Sequence, residues 1–209
     1  MLAFPRLARP ALAALAAVAA LVALVGLPTP ADAAVLGGCP GQRLERPFLP
    51  WLDPASYVLV PDGGVEQGGS GWTLAGGASV VDGNESFNVG GDGDAHSLTL
   101  PPGAAATTPS LCIGVEHPTV RLFARNTGAP TSTLAVAVVF RDLAGRPQSL
   151  PIGLVTAASD WQPTVPLPLL ANLLAVLPAG QHAAIRLTPA DDQGEWTVDD
   201  VYIDPYSKG

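Results

Sequence analysis

An all-β fold, a two-sheet antiparallel sandwich with at most one short helix, is what this sequence predicts, and three observations predict it. Runs rich in Val, Leu, Ile, Thr and Trp are short, and Gly and Pro (23 and 22 of 209 residues) punctuate them at intervals of roughly ten residues. Several runs alternate bulky apolar with small or charged residues, the period-two pattern of a strand with one buried face. No run is followed by a helical pattern of the kind a βαβ unit needs.

Taken in order, the predicted strands are Tyr57 to Val60, Trp72 to Leu74, Ser79 to Val81, Ser97 to Leu100 and Leu111 to Gly114, each bounded by Gly, Pro or acidic turn residues. Val120 to Arg125 and Leu134 to Arg141 carry the clearest alternation, so each is expected to bury one face and solvate the other. Asp142-Leu-Ala-Gly-Arg146 reads as a hairpin loop into Ser149 to Val155. Trp161 to Val165, Ala183 to Leu187 and Trp196 to Ile203 complete the set. In the last, Trp196 and Val198 share one parity and Val201 and Ile203 the other, so the strand must bulge or change face at Asp199-Asp200. The helix-like piece is Leu169, Leu170, Leu173, Leu174 and Leu177 between Pro168 and Pro178, too short to span a membrane and expected to cover an open end of the sandwich.

The N-terminus predicts export. Arg6 and Arg9 precede an apolar stretch from Ala11 to Leu27, then Pro28, Pro30 and the small-residue triplet Ala31-Asp32-Ala33. Residues 1–33 read as a cleaved signal peptide, 34–56 as an N-terminal arm and 57–209 as the sandwich domain, with no membrane span after cleavage. The composition points to a bacterial source. In an exported chain Cys39 and Cys112 most simply form one disulfide, closing a 73-residue loop. The chain-entropy model makes such a bridge worth about 4 kcal/mol. Cleavage removes Arg6, Arg9 and Asp32 and moves the formal net charge from −8 to −9. An acidic chain without a Lys/Arg cluster repels nucleic acid, which excludes that partner class, and is compatible with cations and neutral polysaccharide.

Asp62-Gly-Gly-Val-Glu66 with Gly71-Trp72, the Trp161 strand after Ala158-Ser-Asp160, the strand His182 to Leu187 and the closing Val198-Asp-Asp-Val201 together resemble the galactose-binding-like jelly rolls. More narrowly they resemble the calcium-stabilised carbohydrate-binding modules attached to secreted glycoside hydrolases, over most of residues 57–204. That resemblance implies one structural calcium held by Glu66 with Asp199 or Asp200, while Asp62 and Val65 stand where the family has Asn and Phe. Calcium takes six to eight oxygens at about 2.4 Å, a demand that carboxylates and carbonyls from separate strand ends can meet.

The acidic stretch from Asp82 to His96 fails as an EF-hand, having Phe87 at the sixth position and Gly93 at the twelfth, and fails as a tandem calcium repeat. It is expected to be a solvated loop, with Asn88, Asp92 and Asp94 as candidate polar contacts to a ligand. Trp72, Trp161 and Trp196 lie within or at the start of strands among apolar neighbours and are expected in the core or at its edge, which leaves Trp51, Phe87 and Tyr206 as candidate sugar platforms. No nucleophile elbow, zinc-binding helix or phosphate loop is present, and His96, His117 and His182 lack metal spacing. The expected function is a non-enzymatic binding module for polysaccharide or a cell-envelope glycan. The alternative is a structural or adhesion protein of the envelope with a protein partner, which an exposed leucine patch at 169–177 would favour.

Overall fold

The computed structural model describes residues 41–113, 117–142, 144–169 and 181–204. All of them belong to one compact unit, Leu36–Gly209. The expected signal peptide and Cys39 lie outside these residues, as does the leucine stripe beyond Leu169, which is itself buried. Among the described residues no helix is long and apolar enough to cross a membrane.

The fold is a two-sheet antiparallel jelly-roll sandwich. Its strands are β1 (Val58–Leu59), β2 (Thr73–Ala75), β3 (Ser79–Asp82), β4 (His96–Leu100), β5 (Ala105–Thr107), β6 (Leu111–Ile113), β7 (Thr119–Asn126), β8 (Leu134–Arg141), β9 (Pro147–Val155), β10 (Gln162–Pro163), β11 (Leu167–Pro168), β12 (Gln181–Pro189) and β13 (Trp196–Ile203). The first sheet runs β10-β7-β13-β4-β3, with β11 also on β7 and β1 also on β13. The second runs β2-β5-β12-β8-β9, with β6 also on β12. Strands β5 and β11 were not among those expected, being only three and two residues long.

Proline explains which strands are edges. Lacking an N–H, it is tolerated where one side of the ladder is open or the register slips. Strand β9 carries Pro147 and Pro151, sits at a sheet edge, and slips register against β8 beside Pro151. On the opposite sheet, Pro163 and Pro168 keep β10 and β11 to two-residue fragments along β7.

The core lies between the sheets. Val120, Leu122 and Ala124 of β7, Leu134, Val136 and Val138 of β8, Ile185 and Leu187 of β12, and Trp196 and Val198 of β13 point inward together. The alternation expected of β8 is present. That expected of β7 is not, because both its faces are buried. The outward Arg121 and Phe123 are covered by the arm: Phe48 stacks on Phe123 with ring centroids 5.4 Å apart, and the Arg121 guanidinium lies 4.0 Å over the Phe48 ring. Tyr57, Trp161 and Tyr202 complete this second, aromatic core. Sequence alternation missed it because the covering residues belong to a segment with no period of its own, a 3-10 turn at Leu49–Trp51 among prolines.

Candidate functional site

The candidate site grows from a break in the first sheet. Along one side of β13, β4 pairs with Trp196–Val198 and β1 with Tyr202–Ile203, while β7 pairs with the other side. Between the two short partners β13 has no ladder, and there its register against β7 shifts, at the position where the parity change required a bulge. Asp200 adopts a left-handed φ of 48°, a conformation Asp tolerates better than most residues. Both Asp199 and Asp200 are buried.

Three segments fill the gap. The turn after β1 approaches through Gly63 and Gly64: a Cβ on Gly63 would lie 2.8 Å from the Val201 carbonyl oxygen, and one on Gly64 3.1 Å from Asp200 Oδ1 and 3.3 Å from Asp94 Oδ1. Only glycine lets that backbone so close. The same turn is organised by Asp62, whose carboxylate accepts the Gln67 and Ser70 N–H groups and whose carbonyl accepts Trp72 Nε1. The other two segments are the ends of the β3–β4 loop, which bring Glu85 and Asp94.

Carboxylate oxygens of Glu85, Asp94 and Asp200 come within 4.8 Å of one another. Both Asp200 oxygens, Asp94 Oδ2 and Asn84 Oδ1 are buried without a hydrogen-bond partner. Asp199 is committed locally, accepting the Glu85 N–H at 3.1 Å and the Asp200 N–H at 2.8 Å. Burial, with Asp200 beside it, pushes the Asp199 carboxyl up to about 9. Burial, with Asp94 and Glu85 beside it, pushes Asp200 up to about 8, and burial with Glu66 pushes Asp94 up to about 6. The shared cause for these three aspartates is crowding of carboxyl groups away from water, which disfavours their charged forms.

The donor set fits a hard cation. It is all oxygen, with no thiolate or imidazole among the three carboxylates, as calcium or magnesium prefers and zinc does not. Two oxygens on one calcium can be no more than about 4.8 Å apart, twice the usual bond length. Asn84 Oδ1 and both Asp200 oxygens supply donors that have no hydrogen-bond partner among the described residues.

The expected residues are redistributed. Asp200 is in the group and Asp199 beside it, but Glu66 stands at its exposed rim. Its Oε1 accepts the Ala95 and His96 N–H groups, and its Oε2 lies 2.9 Å from His96 Nδ1. Burial raises the Glu66 carboxyl, yet these hydrogen bonds outweigh it and hold the group below its ordinary value. Asp94, expected to face a ligand, turns inward to the acidic group. Glu85, which the sequence reading left unassigned, is fully buried there. Its one sequence signal was an acidic residue within a Gly/Asn/Asp-rich loop, and no local spacing links it to residue 200.

Outside this group the structure brings together two of the three candidate platform aromatics, while Tyr206 lies outside the described residues. Trp51 and Phe87 meet edge to face with centroids 4.7 Å apart, both resting on Phe123. Phe87 is 44% exposed, and Asn88 and Asp92 are exposed in the same loop. Trp72, Trp161 and Trp196 are buried, Trp196 in β13 and the other two one residue before β2 and β10.

No family model and no curated protein matches the sequence. Solved structures do match in fold. The CBM22-1–CBM22-2 tandem domain from Paenibacillus barcinonensis Xyn10C superposes with a TM-score of 0.51 at 16% identity, over 72% of this chain and 44% of that one. The CBM22-1 xylan-binding domain from the same enzyme gives 0.46 at 16% identity, over 64% and 85% of the two chains. TmCBM61, solved in complex with β-1,4-galactotriose, gives 0.40 at 16% identity, over 69% and 96%. The chain therefore has the β-jelly-roll fold found in carbohydrate-binding modules.

Proposed function

We propose that this protein is an exported, non-catalytic carbohydrate-binding module stabilised by calcium, whose ligand is a neutral polysaccharide of the plant-wall or cell-envelope kind. The observation that carries the reading is the Trp51–Phe87 pair: the exposed Phe87 ring set against the half-buried Trp51, with the exposed Asn88 and Asp92 in the same loop as Phe87. A sugar ring needs an apolar surface against its C–H face and polar groups around its hydroxyls, and these residues offer both. The jelly-roll fold supports the same reading by analogy. Glu85, Asp94 and Asp200, with Asn84, would hold the calcium, which neutralises the acidic group and ties the β3–β4 loop to β13.

The test is retention of the purified protein on insoluble xylan, galactan, mannan and cellulose. At least one should retain the parent, and Phe87→Ala should lose about tenfold or more in affinity, about 1.4 kcal/mol, the scale of truncating an aromatic hot spot. Retention on none of them, or equal retention of parent and variant, refutes the glycan reading at this surface. The protein-partner reading would then stand in its place.

A further inference from the structure

We infer that the acidic group is the clasp of the loop bearing Phe87, so that a bound cation sets whether the aromatic surface is assembled. The inference rests on the calcium and glycan readings above and adds a coupling between them. Strands β3 and β4 form a hairpin whose connection runs from Gly83 to Ala95. Glu85 stands near the start of that loop and Asp94 near its end, and Asp200 faces both from the gap in the neighbouring strand. A cation bound by the three would pinch the neck of the loop and pin it to β13. A second observation points to a ligand: both oxygens of the fully buried Asp200 have no hydrogen-bond partner among the described residues.

The clasp reaches the surface through Glu85. Its carboxylate accepts the Val89 N–H at 2.6 Å and the Phe87 N–H at 2.5 Å, so the backbone carrying the Phe87 ring hangs from a would-be metal ligand. Beyond the neck, the loop is attached to the rest of the protein by the Phe87 ring on Trp51 and Phe123 and by Val89 packed on the same aromatic cluster, with the Glu85 N–H on Asp199 at the neck itself. Without a cation the three carboxyl groups disfavour one another's charged forms instead of being joined through one ion. With the neck closed, Phe87 is delivered against Trp51. Linkage then requires the effect to run both ways: whatever weakens the docking of Phe87 weakens cation binding by the same factor.

The experiment uses the exported protein stripped with chelator, then titrated with calcium alone. Hydrogen exchange should slow across 84–94 by at least about fivefold, the lower end of usual coupling, with little change in β8 and β12. Phe87→Ala should bind calcium more weakly by a similar factor, and Asp200→Asn should abolish the calcium-dependent protection. Parent retained on a polysaccharide should be released by chelator. Should Asp200→Asn fail to fold, exchange in the parent with and without calcium decides the matter. Calcium binding without protection of 84–94, or with Phe87→Ala affinity unchanged, overturns the coupling and leaves the calcium reading standing. Absence of calcium binding removes that reading and the coupling with it.

Discussion

At Asp200 a left-handed backbone conformation and a buried carboxylate unpartnered among the described residues coincide, a combination that points to a use. The parity change along Trp196 to Ile203 announced the bulge, because side-chain period in a strand is two and a switch requires an extra residue. What the carboxylate meets was not announced. Glu85 and Asp94 reach it from a loop more than a hundred positions earlier. Asp53 is a second residue whose role only contact defines. It accepts from Tyr57 Oη at 2.7 Å, from the Ala55 N–H and from the buried Arg121 guanidinium. Burial raises its carboxyl, but those three partners outweigh it and leave the group below its ordinary value. A lowered carboxylate stabilises the fold at pH above its unfolded value of about 4, and that stability is lost as pH falls through the folded value. Asp53→Asn should therefore cost on the order of 1 kcal/mol at pH 7, discounted for partial exposure, and the gap to the parent should close below about pH 4. Melting curves across that range check it, and a gap that persists in acid would assign the effect to packing.

Among the elements, the arm is the one whose contribution its own sequence conceals. Residues 45–57 have no strand or helix period, yet Glu45 pairs with Tyr57 and the intervening turn roofs the outer face of β7. Phe48 is fully buried there, in contact with Tyr57, Phe123 and Tyr202. Phe48→Ala should cost about 3–5 kcal/mol, the usual loss for emptying a buried phenylalanine site. Leu52, at the end of the same turn, is 93% exposed, and Leu52→Ala should stay within about 0.5 kcal/mol. Urea unfolding of the two variants distinguishes a structural roof from a tether: a small effect of Phe48→Ala would mean the arm is dispensable. The strands themselves were more legible. Those with clean alternation or a Gly/Pro boundary, such as Leu134 to Arg141, fall where expected. β5 and β11 escaped notice because two or three residues are too few to show a period.

For the molecule as a whole, the expected signal peptide is the reason to propose export, and an oxidising compartment is where a Cys39–Cys112 bridge can form. Cys112 lies on β6, while Cys39 is outside the described residues, so the bridge is a proposal. Thiol labelling of the denatured, unreduced protein should find no free thiol, and N-terminal sequencing should begin at Ala34. Two reactive thiols, or an intact leader, would each count against export. Composition, punctuation and alternation by themselves determined the class of this protein, a two-sheet sandwich with an acidic surface and a bulged closing strand, because those properties depend on neighbours in the chain and on period two. Only the tertiary structure decided that Glu85 and Asp94 join Asp200, that the arm roofs β7, and that Trp51 meets Phe87. Each of these joins segments far apart in sequence, and such meetings are set by how the sheets stack and where a strand pairing breaks.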